Sequence, residues 1–329
     1  MATDRTARQP MVSVAMIAYN RAPYIAQAIR RVVEQRVDFP IELIITDDCS
    51  TDGTLEIARQ WADRYPEVVK VYKNPVNLGL QRNYLEAFSH CTGRYLAICD
   101  PDDYWCSRDK LQRQVEYMEA HPECAITFHR VVNSYEDDHS KSLSNGGLHN
   151  PVTIETLSRG NVITNLSVVY RRELVDLKKL PEWVAEVKSP DYALHMLYAE
   201  RGNIHYFQQA MGVYRIWGNS TWSSAQAYDR YMIAYSVRRH LLSHFKGQEH
   251  VTAGLVQASR NILLGMVRSA NSEDQRLWAR SELIAIGACG SDREIDEALA
   301  NASKASGLPW HRRLLKEARR QLSKLVPLP

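Results

Sequence analysis

Carboxylates bunch at Asp100, Asp102 and Asp103, directly after the apolar run Tyr95-Leu96-Ala97-Ile98-Cys99 and just before Tyr104-Trp105. Such a run reads as a buried strand, which places the acids at its carboxyl end. Like charges this close repel one another unless a cation lies among them. Hard oxygen ligands of this kind suit Mg²⁺ or Mn²⁺, ions commonly shared with a phosphate. The same residues also read as a plain acidic turn opening the next helix, since Asp is a common turn and cap residue.

The elements that must position these acids follow from the chain before them. Val12 to Ala18 is an apolar run followed by Tyr19-Asn20-Arg21, and Pro23 then opens a helix with Ile25, Ile29, Val32 and Val33 on one face. Ile41 to Ile45 reads as a second strand and ends in Thr46-Asp47-Asp48-Cys49-Ser50-Thr51-Asp52-Gly53. Val68 to Tyr72 is a third strand, and Gln81 to His90 is a helix entered through Asn77-Leu78-Gly79. Strands alternating with helices predict an α/β sheet that is largely parallel. In such sheets ligands bind beyond the carboxyl ends of the strands, where Tyr19, Asp47, Asp48 and Asp100 all fall.

Further on, Cys124 to Phe128, Ser167 to Tyr170 and Met211 to Ile216 read as strands, Asn133 to Asn150 as a mobile polar loop, and Asp191 to Glu200 as a helix. From about residue 226 the pattern is helix after helix. The expected division is a disordered segment over 1–10, an α/β domain over 11–225 and a helical region over 226–329. The α/β domain divides further into a nucleotide-binding part, 11–115, and an acceptor part, 116–225.

Composition narrows the function classes. A formal net charge of +3 over 329 residues gives no reason to expect nucleic acid. The amino-terminal stretch lacks an apolar signal core, and no run approaches the ~18 apolar residues of a membrane span. The scattered Cys49, Cys91, Cys99, Cys106, Cys124 and Cys289 fit reduced thiols in a cytoplasmic protein. No glycine lies between Val12 and Arg36, which removes the dinucleotide fingerprint and the glycine loop that a nucleotidyltransferase would use. Phosphates would have to be held by metal and side chains, which points to a nucleoside diphosphate on Mg²⁺ or Mn²⁺.

Val14-Ala15-Met16-Ile17-Ala18-Tyr19-Asn20, Asp47-Asp48-Cys49-Ser50-Thr51-Asp52-Gly53-Thr54, Asn77-Leu78-Gly79 with Arg82-Asn83, and Asp100-Pro101-Asp102-Asp103-Tyr104-Trp105 occur in that order. Together they resemble glycosyltransferase family 2, inverting transferases of the GT-A fold, over roughly residues 10–225. The resemblance implies a nucleotide-sugar donor (UDP-, dTDP- or GDP-sugar), a saccharide or lipid-linked acceptor, and a role in surface polysaccharide or glycoconjugate assembly. A non-catalytic sugar-nucleotide-binding or membrane scaffold protein is the reading from a different class.

By the same resemblance, Asp47 and Asp48 contact the donor's base and ribose, with Tyr19 and Asn20 flanking the base. A turn or cap role for the acids, and a packed loop aromatic for Tyr19, are the plain alternatives. Arg82 would face the base or diphosphate, or else be an exposed helix arginine. Asp100 would take the ribose and Asp102 the metal; the surplus acid Asp103 stays among the metal ligands. Asp191, within Lys188-Ser189-Pro190-Asp191-Tyr192, matches the family's catalytic base and could also cap its helix; Glu186 is the runner-up. Val213-Tyr214-Arg215-Ile216-Trp217 resembles a Y-R-x-H segment whose histidine helps hold the metal or diphosphate. Trp217 stands in that place and cannot ligate a metal. Arg215 could supply charge to the diphosphate, Trp217 and Trp222 could stack on a sugar ring, and Gly218-Asn219-Ser220-Thr221 could be a hinge.

Leu314, Leu315, Ala318, Leu322 and Leu325 fall at helical spacing among Arg312, Arg313, Lys316, Arg319, Arg320 and Lys324. This basic amphipathic segment, 310–326, could lie on the inner membrane face. It could equally pack on its own domain or serve as a homodimer contact.

Overall fold

The computed structural model describes residues 9–217 and 226–305. The expected hinge at 218–221, Trp222, the basic segment 310–326 and most of the expected amino-terminal disorder lie outside the described residues. Gln9, the ninth of the residues read as disordered, donates its side-chain amide to the Thr92 carbonyl.

The chain forms two compact units. The first runs to Ser134 and resumes over Ser144–Leu157 and Asn161–Arg215; the second takes Tyr135–Leu143, Ser158–Gly160 and the described residues from Ile216 onward.

The first unit opens with β1 (Val12–Ala18), α1 (Ala22–Val33), β2 (Ile41–Asp47), α2 (Thr54–Arg64), β3 (Val69–Lys73), α3 (Leu80–His90) and β4 (Tyr95–Ile98). β5 (Tyr104–Trp105), α4 (Lys110–Ala120) and β6 (Cys124–Tyr135) follow. After the short β7 (Lys141–Leu143), which falls in the second unit, come α5 (Ile154–Arg159), β8 (Val169–Arg171), α6 (Pro190–Ala199) and β9 (Asn203–Ile216). The strand order is β3-β2-β1-β4-β8-β6-β9-β5. β1 pairs in parallel with β2 and β4, and β2 with β3. β8 runs antiparallel to β4 and β6, and β5 antiparallel to β9, so the sheet is mixed.

Every residue of β1 is buried, as expected of a parallel strand covered on both faces. α1 packs Ile25, Ala28, Ile29 and Val32 into the core at helical spacing, each large aliphatic contributing about 1.5–3 kcal/mol relative to exposure. Glu42 is buried on β2 and is satisfied by Ser13, Lys70 and Thr92. All six cysteines are free.

The strand boundaries differ from expectation where burial is one-sided. β9 begins at Asn203 rather than Met211, because Ile204 and Tyr206 alternate with more exposed neighbours and present no continuous apolar run. The polar stretch expected as a loop from Asn133 holds the end of β6 and all of β7, whose residues are at most half-buried.

In the second unit α7 (Ala227–His244), α8 (Glu249–Ser269), α9 (Glu273–Ala285) and α10 (Asp292–Ala305) confirm the helical reading. Their core joins Tyr228, Tyr235, Leu263, Met266, Leu283 and Ile295. Gly265 lets Tyr231 approach; a Cβ there would sit 2.5 Å from the ring.

Candidate active site

The carboxyl ends of β1 and β2 lie side by side, with Ala18 opposite Asp47. Asn20, at φ 52°, stitches the two following loops together. Its N–H donates to Ser50 Oγ at 3.0 Å and its Oδ1 accepts from the Thr51 N–H at 2.9 Å. Tyr19 next to it is 49% exposed.

Asp47 and Asp48 are both buried. Asp48 accepts from Asn74 Nδ2 (2.8 Å) and the Leu78 N–H (2.7 Å) on Oδ1, and from the Gly79 N–H (2.9 Å) on Oδ2. Its carboxylate therefore shapes the Asn77-Leu78-Gly79 loop. Asp47 Oδ2 accepts from the Ser50 N–H, whereas its buried Oδ1 has no partner. Asn83 turns inward to Thr46 and Asn74, while Arg82 is exposed on α3.

The acidic turn between β4 and β5 separates its carboxylates. Asp100 accepts from the Tyr84 hydroxyl on Oδ1 (2.7 Å) and from Asn165 Nδ2 on Oδ2 (3.0 Å). Burial and the neighbouring Asp102 charge push its carboxyl up to about 6, against the pull of those two hydrogen bonds. Asp102 is half-buried and pairs through Oδ2 with Arg21 Nε at 3.1 Å. Asp103 turns inward, 2% exposed, and accepts from the Arg215 N–H at 2.8 Å. Burial and the Asp102 and Asp100 charges raise it well above the carboxylate range.

Arg215, near the end of β9, is committed to this turn. Its guanidinium donates to the Asp102 carbonyl at 2.6 Å and to Gln27 on α1, and lies over the rings of Tyr24 and Tyr104. Trp217, just past β9 and half-buried, belongs to the second unit.

Asp191 lies in the first turn of α6, directly after Pro190, and its half-buried carboxylate faces Asn161 Nδ2 at 3.5 Å. Burial raises its pKa. Its charge adds to the upward shifts of Asp100, Tyr84 and Tyr214, so it shares a locality with the acidic turn. Glu186 is exposed.

Among the described residues no three His, Cys, Asp or Glu side chains converge as a complete metal cage. The donor set nonetheless fits a hard divalent ion whose remaining positions belong to phosphate and water. Asp102 has one oxygen outside its ion pair and stands at a partly open strand end beside two further carboxylates.

Expected residues thus gather at one sheet end: Asn20, Asp47, Asp48, Asp100, Asp102, Asp103, Asp191 and Arg215. Arg21, Tyr84, Asn161 and Asn165 also belong there. Arg21 and Tyr84 directly follow the motif residues Tyr19-Asn20 and Arg82-Asn83, which is a usable signal. The two asparagines have none, being brought in by the antiparallel return of the chain.

The family model for glycosyl transferase family 2 matches residues 13–176. An uncharacterized protein of Mycobacterium tuberculosis is 36% identical over 215 residues, covering 65% of this chain and 61% of that protein. The chain therefore spans less than two thirds of the length of its mycobacterial relatives. The putative teichuronic acid biosynthesis glycosyltransferase TuaG of Bacillus subtilis is 38% identical over 120 residues, 36% of this chain and 46% of TuaG. Among solved structures, the mannosyltransferase PcManGT of Pyrobaculum calidifontis, in complex with GDP-Man and Mn²⁺, superposes with a TM-score of 0.59 at 20% identity, covering 93% of this chain and 83% of that one. S. aureus TarS 1-349 in complex with UDP gives 0.59 at 20% identity, with 88% and 82% covered. These likenesses establish the GT-A fold, and with the match to the family model the chain belongs to glycosyl transferase family 2.

Proposed function

We propose that this chain is an inverting, metal-dependent glycosyltransferase. It moves a sugar from a nucleotide-sugar to an acceptor hydroxyl during assembly of a surface polysaccharide or other glycoconjugate. One observation carries the reading: Asn165 donates to Asp100 Oδ2 at 3.0 Å while Asn161, four residues earlier, faces Asp191 Oδ2 at 3.5 Å, so one short stretch of chain reaches both acids. A base for the acceptor and a binding wall for the donor can then serve one reacting centre. The names of the Bacillus relatives and the ligands of the structural neighbours support the substrate class.

In this reading the unpartnered Asp47 Oδ1 accepts from the donor's base, and Asp100 takes the ribose. Asp102 would hold Mg²⁺ or Mn²⁺, which when bound supplies counter-charge to the diphosphate. Asp103 and Arg215 keep the turn in shape. Asp191 takes the proton from the acceptor hydroxyl. That oxygen bonds to the anomeric carbon as the carbon–oxygen bond to the diphosphate breaks, and the electron pair leaves with the diphosphate. Attack from the opposite face inverts the configuration. Burial of Asp191 makes it a stronger base than an ordinary surface carboxylate. No helix among the described residues is long and apolar enough to cross a membrane.

The test is a panel of UDP-, dTDP- and GDP-sugars, scored by thermal shift with and without Mn²⁺, followed by transfer assays. The expected result is metal-dependent stabilisation by one donor, with transfer that disappears in Asp191→Ala while donor binding stays. Stabilisation indifferent to metal would remove the metal from the reading. Undiminished transfer by Asp191→Ala would overturn the base, and binding without transfer by the wild type would favour a sugar-nucleotide-binding protein.

A further inference from the structure

The short segment Asn161-Val162-Ile163-Thr164-Asn165 touches both halves of the site. At its far end, Asn165 Nδ2 donates to Asp100 Oδ2 at 3.0 Å and to the Tyr84 hydroxyl at 2.7 Å, while that hydroxyl donates to Asp100 Oδ1. At its near end, Asn161 Oδ1 accepts from the Ile163 N–H at 3.1 Å, a local turn that leaves Nδ2 facing Asp191 Oδ2. The backbone between them is fixed: Asn145 Nδ2 donates to the Val162 carbonyl, the Ser167 N–H and Oγ donate to the Thr164 carbonyl, and Ile163 is buried.

We propose that residues 161–165 form a positioning strap, with Asn165 setting the carboxylate of Asp100 and Asn161 that of Asp191. One rigid piece of chain would then fix the separation of the donor-side and acceptor-side acids. The strap rests on the glycosyltransferase reading above. An amide suits the task because it orients a carboxylate without cancelling its charge, as the guanidinium of Arg21 does at Asp102. In-line transfer makes the spacing consequential, because a displacement of about 1 Å at a reacting group can cost on the order of 100-fold in rate. The Asp191 charge adds to the upward shifts of Tyr84, Asp100, Tyr170 and Tyr214. Asn161 Nδ2 faces the carboxylate from outside its own helix, while the backbone N–H groups of Asp191 and Tyr192 favour the ionised form from within it.

The experiment compares donor affinity by calorimetry with the pH profile of kcat/KM for the acceptor. Asn161→Ala should lower kcat about 10- to 100-fold, the range for loss of an orienting partner, and move the acid limb to higher pH with donor Kd unchanged. Asn161→Asp keeps the acceptor for the Ile163 N–H but places a like charge beside Asp191, so the limb should move further in the same direction. Asn165→Ala should weaken donor binding about 10-fold and leave the acid limb in place. Asn165→Ser, which keeps a short donor, should recover part of that loss. A purely structural role would lower the melting temperature in Asn161→Ala and Asn165→Ala alike without splitting these readouts, and that result overturns the strap. Wild-type protein that transfers sugar while all four variants match it overturns the strap alone. Wild-type protein that neither binds nor transfers a nucleotide-sugar overturns the functional reading, and the strap with it.

Discussion

Asp47 and Asp48 are adjacent at the end of β2, yet Asp48 gives both its oxygens to Asn74, Leu78 and Gly79 while Asp47 keeps a buried Oδ1 that no protein donor reaches. A buried acceptor without a partner is costly, whereas a carboxylate receiving backbone N–H groups anchors whatever carries them. The pair therefore divides into an acid with an unpartnered buried oxygen and a loop-shaping acid.

Asp48→Ala should accordingly lose stability, by about 3 kcal/mol, because Asn74 and the 78–79 backbone are left without their charged acceptor. Asp47→Ala should melt within a degree or two of wild type, yet lose about tenfold or more in affinity for the nucleotide, roughly the 1.4 kcal/mol of one good hydrogen bond. Urea denaturation and nucleotide calorimetry on both variants decide the matter. A larger stability loss in Asp47→Ala than in Asp48→Ala would reverse the assignment.

The parallel half of the sheet was legible because β1, β2 and β4 are buried on both faces and so appear as unbroken apolar runs. Loop acids that follow such runs must fall at one sheet edge, which is why Asp47, Asp100 and Asp102 could be placed there from sequence. The start of β9 was not legible, since a half-covered strand shows only alternation that a polar segment easily hides. Nor could the sequence say which acids were already engaged by the protein. Asp103 stays among the metal ligands on sequence alone, and only the fold shows its Oδ1 accepting the Arg215 N–H. Asn165 lies far along the chain from Asp100 and reaches it through the antiparallel β4–β8 pairing, a register that no local pattern encodes.

Arg21 holds Asp102 in an ion pair with both side chains partly in solvent, so the pair itself contributes about 0–1 kcal/mol. A metal held by Asp102 would compete with Arg21 for the same carboxylate. Arg21→Gln should bind Mn²⁺ a few-fold more tightly in the absence of nucleotide, an advantage that shrinks as salt rises because screening weakens the wild-type pair. Mn²⁺ titration followed by electron paramagnetic resonance at two ionic strengths measures this. Weaker Mn²⁺ binding by the variant would mean that Arg21 supports the ion's site rather than contesting it.

Burial raises the carboxyl of Asp191, with consequences for both rate and stability. A base must be ionised, so the rate should fall as pH drops through a value above the ordinary carboxylate range. The folded state also binds this proton more readily than the unfolded chain, so the group's contribution to stability is present in acid and is lost as pH rises through the folded pKa. Asp191→Asn should therefore abolish transfer while melting slightly higher than wild type at neutral pH, and that stability advantage should vanish in acid. Parallel activity and melting profiles from pH 4 to 8 test both halves. A variant less stable than wild type at neutral pH would show that Asp191 serves the helix start more than the reaction.

Lys110 opens α4 with its amine fully buried, without a hydrogen-bond partner and 4.2 Å from the centre of the Trp105 ring. The ring favours the charged amine by about 2 kcal/mol when water is excluded, but taking an ion out of water costs several kcal/mol. Burial wins, and the amine is pushed down to about 7. The unfolded chain then holds this proton more readily between about pH 7 and the ordinary lysine value, so wild-type stability should rise with pH across that window. Lys110→Met, of similar length and without the charge, should be more stable than wild type at pH 7 by about 1–4 kcal/mol. The gap should close as pH approaches 10, where the wild-type amine is neutral in both states. Urea denaturation of the two proteins from pH 6 to 10 gives the comparison. A gap that stays constant with pH would show that the amine keeps its charge inside the fold.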